Sequence, residues 1–401
     1  MNKKIIAPIM VAALGYFVDI YDLLLFSIVR KTSLESLGIT GDDLLTQGIH
    51  LLNMQMIGML IGGILWGIIG DKKGRISVLF GSIFIYSTAN ILNAMVTTVD
   101  QYALLRFIAG IGLAGELGAG ITLVSEIMPK ESRGYGTTIV ATIGILGAVV
   151  AAFVGKTFDW RTSYYIGGGL GIFLLLLRVG LYESGMFEKV KNEKVEKGNF
   201  FSLFSNKQKM FKYINCILIG LPVWFVVGIF ITFSPEFGKA FGLTVLPLAG
   251  EAVKYCYIGL SIGDLSSGLL SQYFKSRKKV VFGFLIFTAL TMVSFILTGG
   301  ISLFSFYLNC GIMGFAVGYW AIFMTIASEN FGTNIRATVT TTAPNFIRGS
   351  VVPLTFLFEL TKNPLGIKTS GLLLGFLTIV IALISLSRLD ETYGKDLNYI
   401  E

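Results

Sequence analysis

Twelve stretches of about twenty apolar residues recur along this chain, and they leave few folds open. A hydrocarbon layer ~30 Å thick takes about 20 residues of α-helix to cross. Inside it every backbone N–H and C=O must be satisfied within the segment, which helices do and isolated strands do not. The stretches lie near residues 7–29, 47–70, 76–97, 101–124, 135–158, 163–182, 211–235, 248–273, 280–298, 302–327, 337–360 and 368–387. Only 14% of the 401 residues are charged, against roughly 25% in a soluble domain. The expectation is an all-α membrane protein of twelve transmembrane helices. The first stretch follows Met1-Asn2-Lys3-Lys4 like a signal peptide, but it runs on to Phe26 without a small-residue cleavage site and reads as the first span.

The net charge of +8 does not point to nucleic acid, because the basic residues sit in short loops between spans. With the N-terminus inside, 21 of the 32 Lys and Arg residues fall on the inner side and 7 on the outer. That excess predicts a multi-pass protein of the cell membrane with both termini cytoplasmic. The source reads as prokaryotic. Cys216, Cys256 and Cys310 lie in apolar stretches, as packing residues do. His50 is the single histidine, so no metal cluster and no cofactor is expected. No nucleophile–base pair appears, so the chain does not read as an enzyme.

One long polar insert follows span six. It divides the chain into an N-terminal six-helix bundle (1–183), a cytoplasmic linker (184–210) and a C-terminal six-helix bundle (211–401). The halves repeat. Ser125-Glu126 with Arg133 after span four recurs as Ser328-Glu329 with Arg336 after span ten, offset by 203 residues.

The loop after span two reads Gly67-Ile68-Ile69-Gly70-Asp71-Lys72-Lys73-Gly74-Arg75. Its glycines allow a tight turn and close helix approach. Asp71 can cap a helix or pair with Arg75 or Arg133, latching one state. This loop resembles the signature loop of the major facilitator superfamily. The resemblance implies two six-helix pseudo-repeats around a central site. It also makes Gly67, Asp71, Gly74, Arg75, Glu126, Arg133, Glu329 and Arg336 a conformational latch. The equivalent second-half segment, Phe274-Lys275-Ser276-Arg277-Lys278, keeps the basic character without the Asp.

Ionised side chains inside spans cost about 2.5–3.5 kcal/mol each on insertion scales, so they mark functional positions. Span four carries Arg106 and Glu116 in Arg106-Phe107-Ile108-Ala109-Gly110-Ile111-Gly112-Leu113-Ala114-Gly115-Glu116. This is similar to a segment of the metabolite:proton symporters and related organic-acid carriers. Ten residues apart, or ~15 Å along a helix, the two cannot pair and each needs another partner. Span one places Tyr16, Asp19 and Asp22 along one face. Two carboxylates one turn apart suit proton coupling, or one forms a fixed ion pair with Arg106. Arg348 in span eleven, near Asn345, can offer a planar fork to a carboxylate, or bond neighbouring carbonyls.

The resulting expectation is a proton-coupled carrier that takes up a small organic anion or zwitterionic metabolite by alternating access, working as a monomer. Asp19, Asp22 and Glu116 are its proton-coupling candidates. Arg106, Arg348, Tyr16, Trp224 and Asn345 are its solute-binding candidates. A sugar or polyol carrier of the same fold, an exporter and a non-transporting sensor are the rivals.

Overall fold

The structure, a computed structural model, describes residues 3–40, 43–129, 132–179 and 197–400. About half of the 184–210 linker, residues 184–196, therefore lies outside the described residues, as does the side chain of Arg133. Among the described residues, twelve helical rods follow one another where the apolar stretches predict them. They are α1 (Lys3–Ser36), α2 (Asp43–Lys73), α3 (Arg75–Asn93), α4 (Val99–Leu113, then Glu116–Ile127), α5 (Arg133–Ile145, then Gly147–Thr157) and α6 (Trp160–Leu177). After the linker come α7 (Lys207–Leu218, Leu221–Phe225 and a π-helical turn Val226–Ile231), α8 (Ala249–Tyr273) and α9 (Arg277–Thr298). The last three are α10 (Leu303–Ala316, then Trp320–Glu329), α11 (Arg336–Gly349, then Val351–Leu365) and α12 (Ile367–Arg388).

Nine of these rods are long and apolar enough by themselves to cross a membrane. The exceptions, α6, α8 and α11, carry more polar residues: α6 opens on Arg161, Thr162 and Ser163, and α8 holds Glu251, Lys254 and Asp264. In α11, Thr338, Thr340, Thr341 and Thr342 follow one another and are buried. Phe84, Phe153, Phe173, Leu176, Leu290, Phe304 and Phe356 are exposed on the outside of the bundle, as lipid-facing side chains are.

The internal repeat extends well beyond the loop match. The breaks in α4 and α5, after Leu113 and Ile145, return in α10 and α11 after Ala316 and Gly349, shifted by 203 or 204 residues. Helix contacts repeat as well. Gly58 and Gly62 of α2 lie so close to the α4 backbone that a Cβ there would collide with it. Gly259 and Gly263 of α8 stand in the same relation to α10. Without a hydrophobic force between helices in lipid, such small-residue contacts are what pack them. The two sets of six meet along α2–α11 and α5–α8, with α4 and α10 also touching the opposite set.

Candidate functional site

At the end of the bundle that holds the C-terminal segment, the joint between the sets is closed by a buried polar network. Asp71, at the end of α2, caps α11. Its carboxylate accepts from the backbone N–H of Ala337 (3.0 Å) and Thr338 (2.8 Å) and from the Thr338 hydroxyl (2.7 Å). Those N–H groups are among the unpaired donors every helix start presents. Arg75 lies 3.6 Å from Asp71 and donates to Glu126 at 2.8 Å. Arg336 of α11 donates to the same Glu126 oxygen at 3.1 Å. The approach is tight enough to require glycine: a Cβ on Gly67 would sit 2.8 Å from the Thr338 Cα. Gly74 starts α3 at φ 99°, where other residues are strained. In the second set Arg277 and Glu329 pair at 3.3 Å, the counterpart of Arg75 and Glu126. The second-half segment thus keeps its ion pair even though the aspartate is gone.

Halfway along the bundle, charged side chains from both sets meet. Arg348 of α11 lies 3.5 Å from Asp19 of α1, donates to Asn345 at 3.3 Å and sits over the Trp224 ring at 5.6 Å. Asn345 in turn donates to the Ala114 carbonyl at 2.9 Å, one of the carbonyls freed by the break in α4. Asn345 therefore ties α11 to α4 and aims Arg348. Arg348 and Asp19 are nearly inaccessible, yet Arg348 Nε and Asp19 Oδ1 have no partner. Tyr16 is buried among Asp19, Arg348, Asp264 and Trp320. Asp264 of α8 accepts from the Ala321 N–H at 2.8 Å, capping the second part of α10, and its other oxygen is unpartnered.

Glu116 and Arg106 find separate partners. Glu116 is held by Arg178 of α6 through two bonds, of 2.9 and 2.5 Å, and by the Ser82 hydroxyl at 2.6 Å. Arg106 donates to Gln55 and, at 3.4 Å, to the Tyr164 hydroxyl, and stacks 4.6 Å from the Phe26 ring. It is thus a tie between α2, α4, α6 and α1, and the fixed ion pair with Asp19 or Asp22 does not form. Both oxygens of Asp22 lack a hydrogen bond.

A model of the Major Facilitator Superfamily matches residues 12–354. The chain belongs to this superfamily. Twelve helices in two six-helix repeats are its architecture, and this facilitator is a membrane transporter, not an enzyme. NiaP of Bacillus subtilis (strain 168), designated a niacin/nicotinamide transporter, is 26% identical over 84% of each chain. The 3-(3-hydroxy-phenyl)propionate transporter of Escherichia coli (strain K12) is 26% identical over 80% of each. The solved structure of the proton:xylose symporter XylE bound to 6-bromo-6-deoxy-D-glucose superimposes with a TM-score of 0.77 over 98% of each chain, at 17% identity. That last likeness is one of fold alone.

In the facilitator's structure the candidate residues separate into a buried polar network at one end and a buried charged centre. Two residues escaped the sequence reading. Arg178 lies within the sixth apolar stretch, and the sequence assigns it no partner although Glu116 needs a cation. Arg277 was grouped with the basic turn around it. Its position 202 residues after Arg75 was the signal.

Proposed function

We propose that this facilitator couples protons to the uptake of a small organic anion or zwitterion, with Arg348 and Asp19 at the solute site. The observation that carries the reading is the Arg348–Asp19 pair itself. At 3.5 Å it is a loose contact between helices of opposite sets, and each partner keeps an unused polar atom. A solute carboxylate can take the guanidinium fork from Asp19. Asp19, so released, then needs a proton or a cation, because an uncompensated buried charge is costly. Tyr16 and Trp224 border the same space, and Asn345 positions Arg348.

The charges within the bundle support the same reading. Arg106, Arg178 and Arg348 are outnumbered by Asp19, Asp22, Glu116 and Asp264, leaving one excess carboxylate. Adding an anion deepens the imbalance unless a proton enters with it. Glu116, bound twice by Arg178, is the least free of the four. Asp19 and Asp22 carry the coupling role here.

Rocking of residues 1–183 against 211–401 about this centre gives alternating access. With both termini cytoplasmic, the Asp71–Glu126–Arg336 network is the closed inner gate. At the other end Ser27, Arg30, Gly48, Thr232 and Phe233 border a narrow opening between α1, α2, α7 and α8, on the solute's way in. The working unit is the monomer.

Nicotinate and 4-hydroxybenzoate are suitable first probes, because relatives of this chain are named for niacin and 4-hydroxybenzoate. Each is added to the purified protein at two pH values while thermal unfolding is followed. The expected result is stabilisation that grows toward acid and disappears in Arg348→Gln. Equal stabilisation at both pH values would remove proton coupling, and stabilisation in Arg348→Gln would remove the anion site.

A further inference from the structure

The buried face of α3 carries a polar row with no protein partner. Tyr86, Ser87, Asn90 and Asn93 are all at most 1% exposed. The Tyr86 and Ser87 hydroxyls and both polar atoms of each asparagine make no hydrogen bond. Asparagines that glue transmembrane helices bond across the interface, and these do not. Buried polar groups left unpaired call for another partner, and at membrane depth the available one is water.

The spacing suits water. Along the helix Tyr86, Asn90 and Asn93 follow one another at one-turn intervals, ~5 Å apart. One water bridging two such groups spans about 5.6 Å, two hydrogen bonds of ~2.8 Å. On one side, at Asn90, the row meets the Asp22 carboxylate, which the amide faces. At its end it reaches Asn93, the last residue of α3. Just beyond, Arg161 holds the Ala94 and Val96 carbonyls at 2.7 and 3.0 Å, and Met95 is exposed. Glycines let α6 close directly over this row: a Cβ on Gly167 would collide with Asp22, and one on Gly171 with Ser87. The charged and titratable groups facing Asp22 are Asp19 and Tyr21 on its own helix, Arg106 on α4, Tyr86 on α3 and Tyr164 on α6.

We propose that this face of α3 orders a file of water that carries protons to Asp22 from the Asn93 end, by a route inside the first six helices and separate from the solute site at Arg348. Each water passes on one proton as it receives another. The last transfer converts the Asp22 carboxylate to the acid, and the asparagine amides hold the waters in line without changing protonation. The inference rests on the proton-coupled reading above and gives it an entry path. It also gives the two aspartates of α1 distinct duties: Asp19 meets Arg348 and the solute, and Asp22 meets the file.

Infrared spectroscopy of the protein in nanodiscs tests this after a pH jump from neutral to mildly acidic. The protonated carboxyl C=O band is followed in wild type, Asp22→Asn, Asn90→Leu and Asn93→Leu. Asp22→Asn is expected to remove part of the band. Asn93→Leu is expected to keep its final amplitude while slowing its rise roughly tenfold or more, a barrier increase of at least about 1.4 kcal/mol. Its unfolding temperature should hold or rise, since an unpaired amide has been replaced by an apolar group. Unchanged kinetics in both leucine variants would overturn the file. So would a fall in unfolding temperature in both with unchanged kinetics, which would make the asparagines structural. A band that Asp22→Asn does not alter would instead remove Asp22 from the coupling reading, and the file would fall with it. Displacement of the band by sodium at constant ionic strength would overturn protons as the cargo.

Discussion

Arg336 of α11 and Arg75 at the start of α3 donate to the same oxygen of Glu126, at 3.1 and 2.8 Å. One carboxylate thus joins two guanidiniums that belong to opposite six-helix repeats. All three side chains are inaccessible, so the Glu126 charge offsets the repulsion between the arginines directly.

Glu126→Gln keeps the shape and removes the charge. Breaking a buried pair by changing one partner costs about 3–5 kcal/mol. We expect a lower unfolding temperature and an opened joint, read as faster alkylation of a Thr341→Cys probe, since Thr341 is buried against α4. Unchanged alkylation would mean that this network does not hold the joint closed.

Asp71 acts through a helix end. Asp71→Ala removes three acceptor contacts to Ala337 and Thr338, and loss of an N-cap costs about 1 kcal/mol. The loss falls on one state only, because the cap exists only while the joint is closed. Transport should slow while solute binding measured by thermal shift persists. Loss of binding itself would place Asp71 in the solute site.

Glu116 and Arg178 are a stabilising pair in this account, and mutation can separate that role from coupling. Arg178→Met alone leaves a buried carboxylate and should destabilise by about 3–5 kcal/mol. Adding Glu116→Leu should recover most of that loss in thermal unfolding and leave transport coupled. Uncoupled transport in the stable double variant would return Glu116 to the proton-carrying set.

Glu391, beyond the last helix, gives a pH signature of stability. Burial opposes its charge, but the Ser276 hydroxyl and the N–H groups of Arg277 (2.9 Å), Tyr393 (3.0 Å) and Lys278 (3.3 Å) outweigh it and hold the carboxyl below its ordinary range. A depressed carboxylate contributes its stability above the unfolded-state pKa and loses it as pH falls through the folded-state value. Glu391→Gln should therefore be less stable than wild type near neutrality, and the two should converge in acid. A constant gap across pH would contradict this.

The twelve spans were legible because hydropathy is a local property and lipid imposes a length on it. Gly67 and Asp71 were legible because a tight turn and a helix cap demand those residue types. The partners were not. Arg178 reaches Glu116 across 62 residues of sequence, and Asp264 caps Ala321 from another helix. Neither relation leaves a periodic trace. Beyond the last helix, Leu397 is buried and gives its carbonyl to Arg336 at 2.7 Å. The sequence makes Asn345 a solute-binding candidate beside Arg348. The broken α4 that occupies its amide could be seen only in three dimensions.

The central claim is that carboxylate entry through the Arg348–Asp19 site brings protons with it. Proteoliposomes holding a pH-sensitive dye test it directly when nicotinate or 4-hydroxybenzoate is added outside. The account predicts acidification of the lumen above that of protein-free vesicles, lost in both Arg348→Lys and Asp19→Asn. Protein-dependent uptake without acidification, or acidification that survives both substitutions, would contradict it.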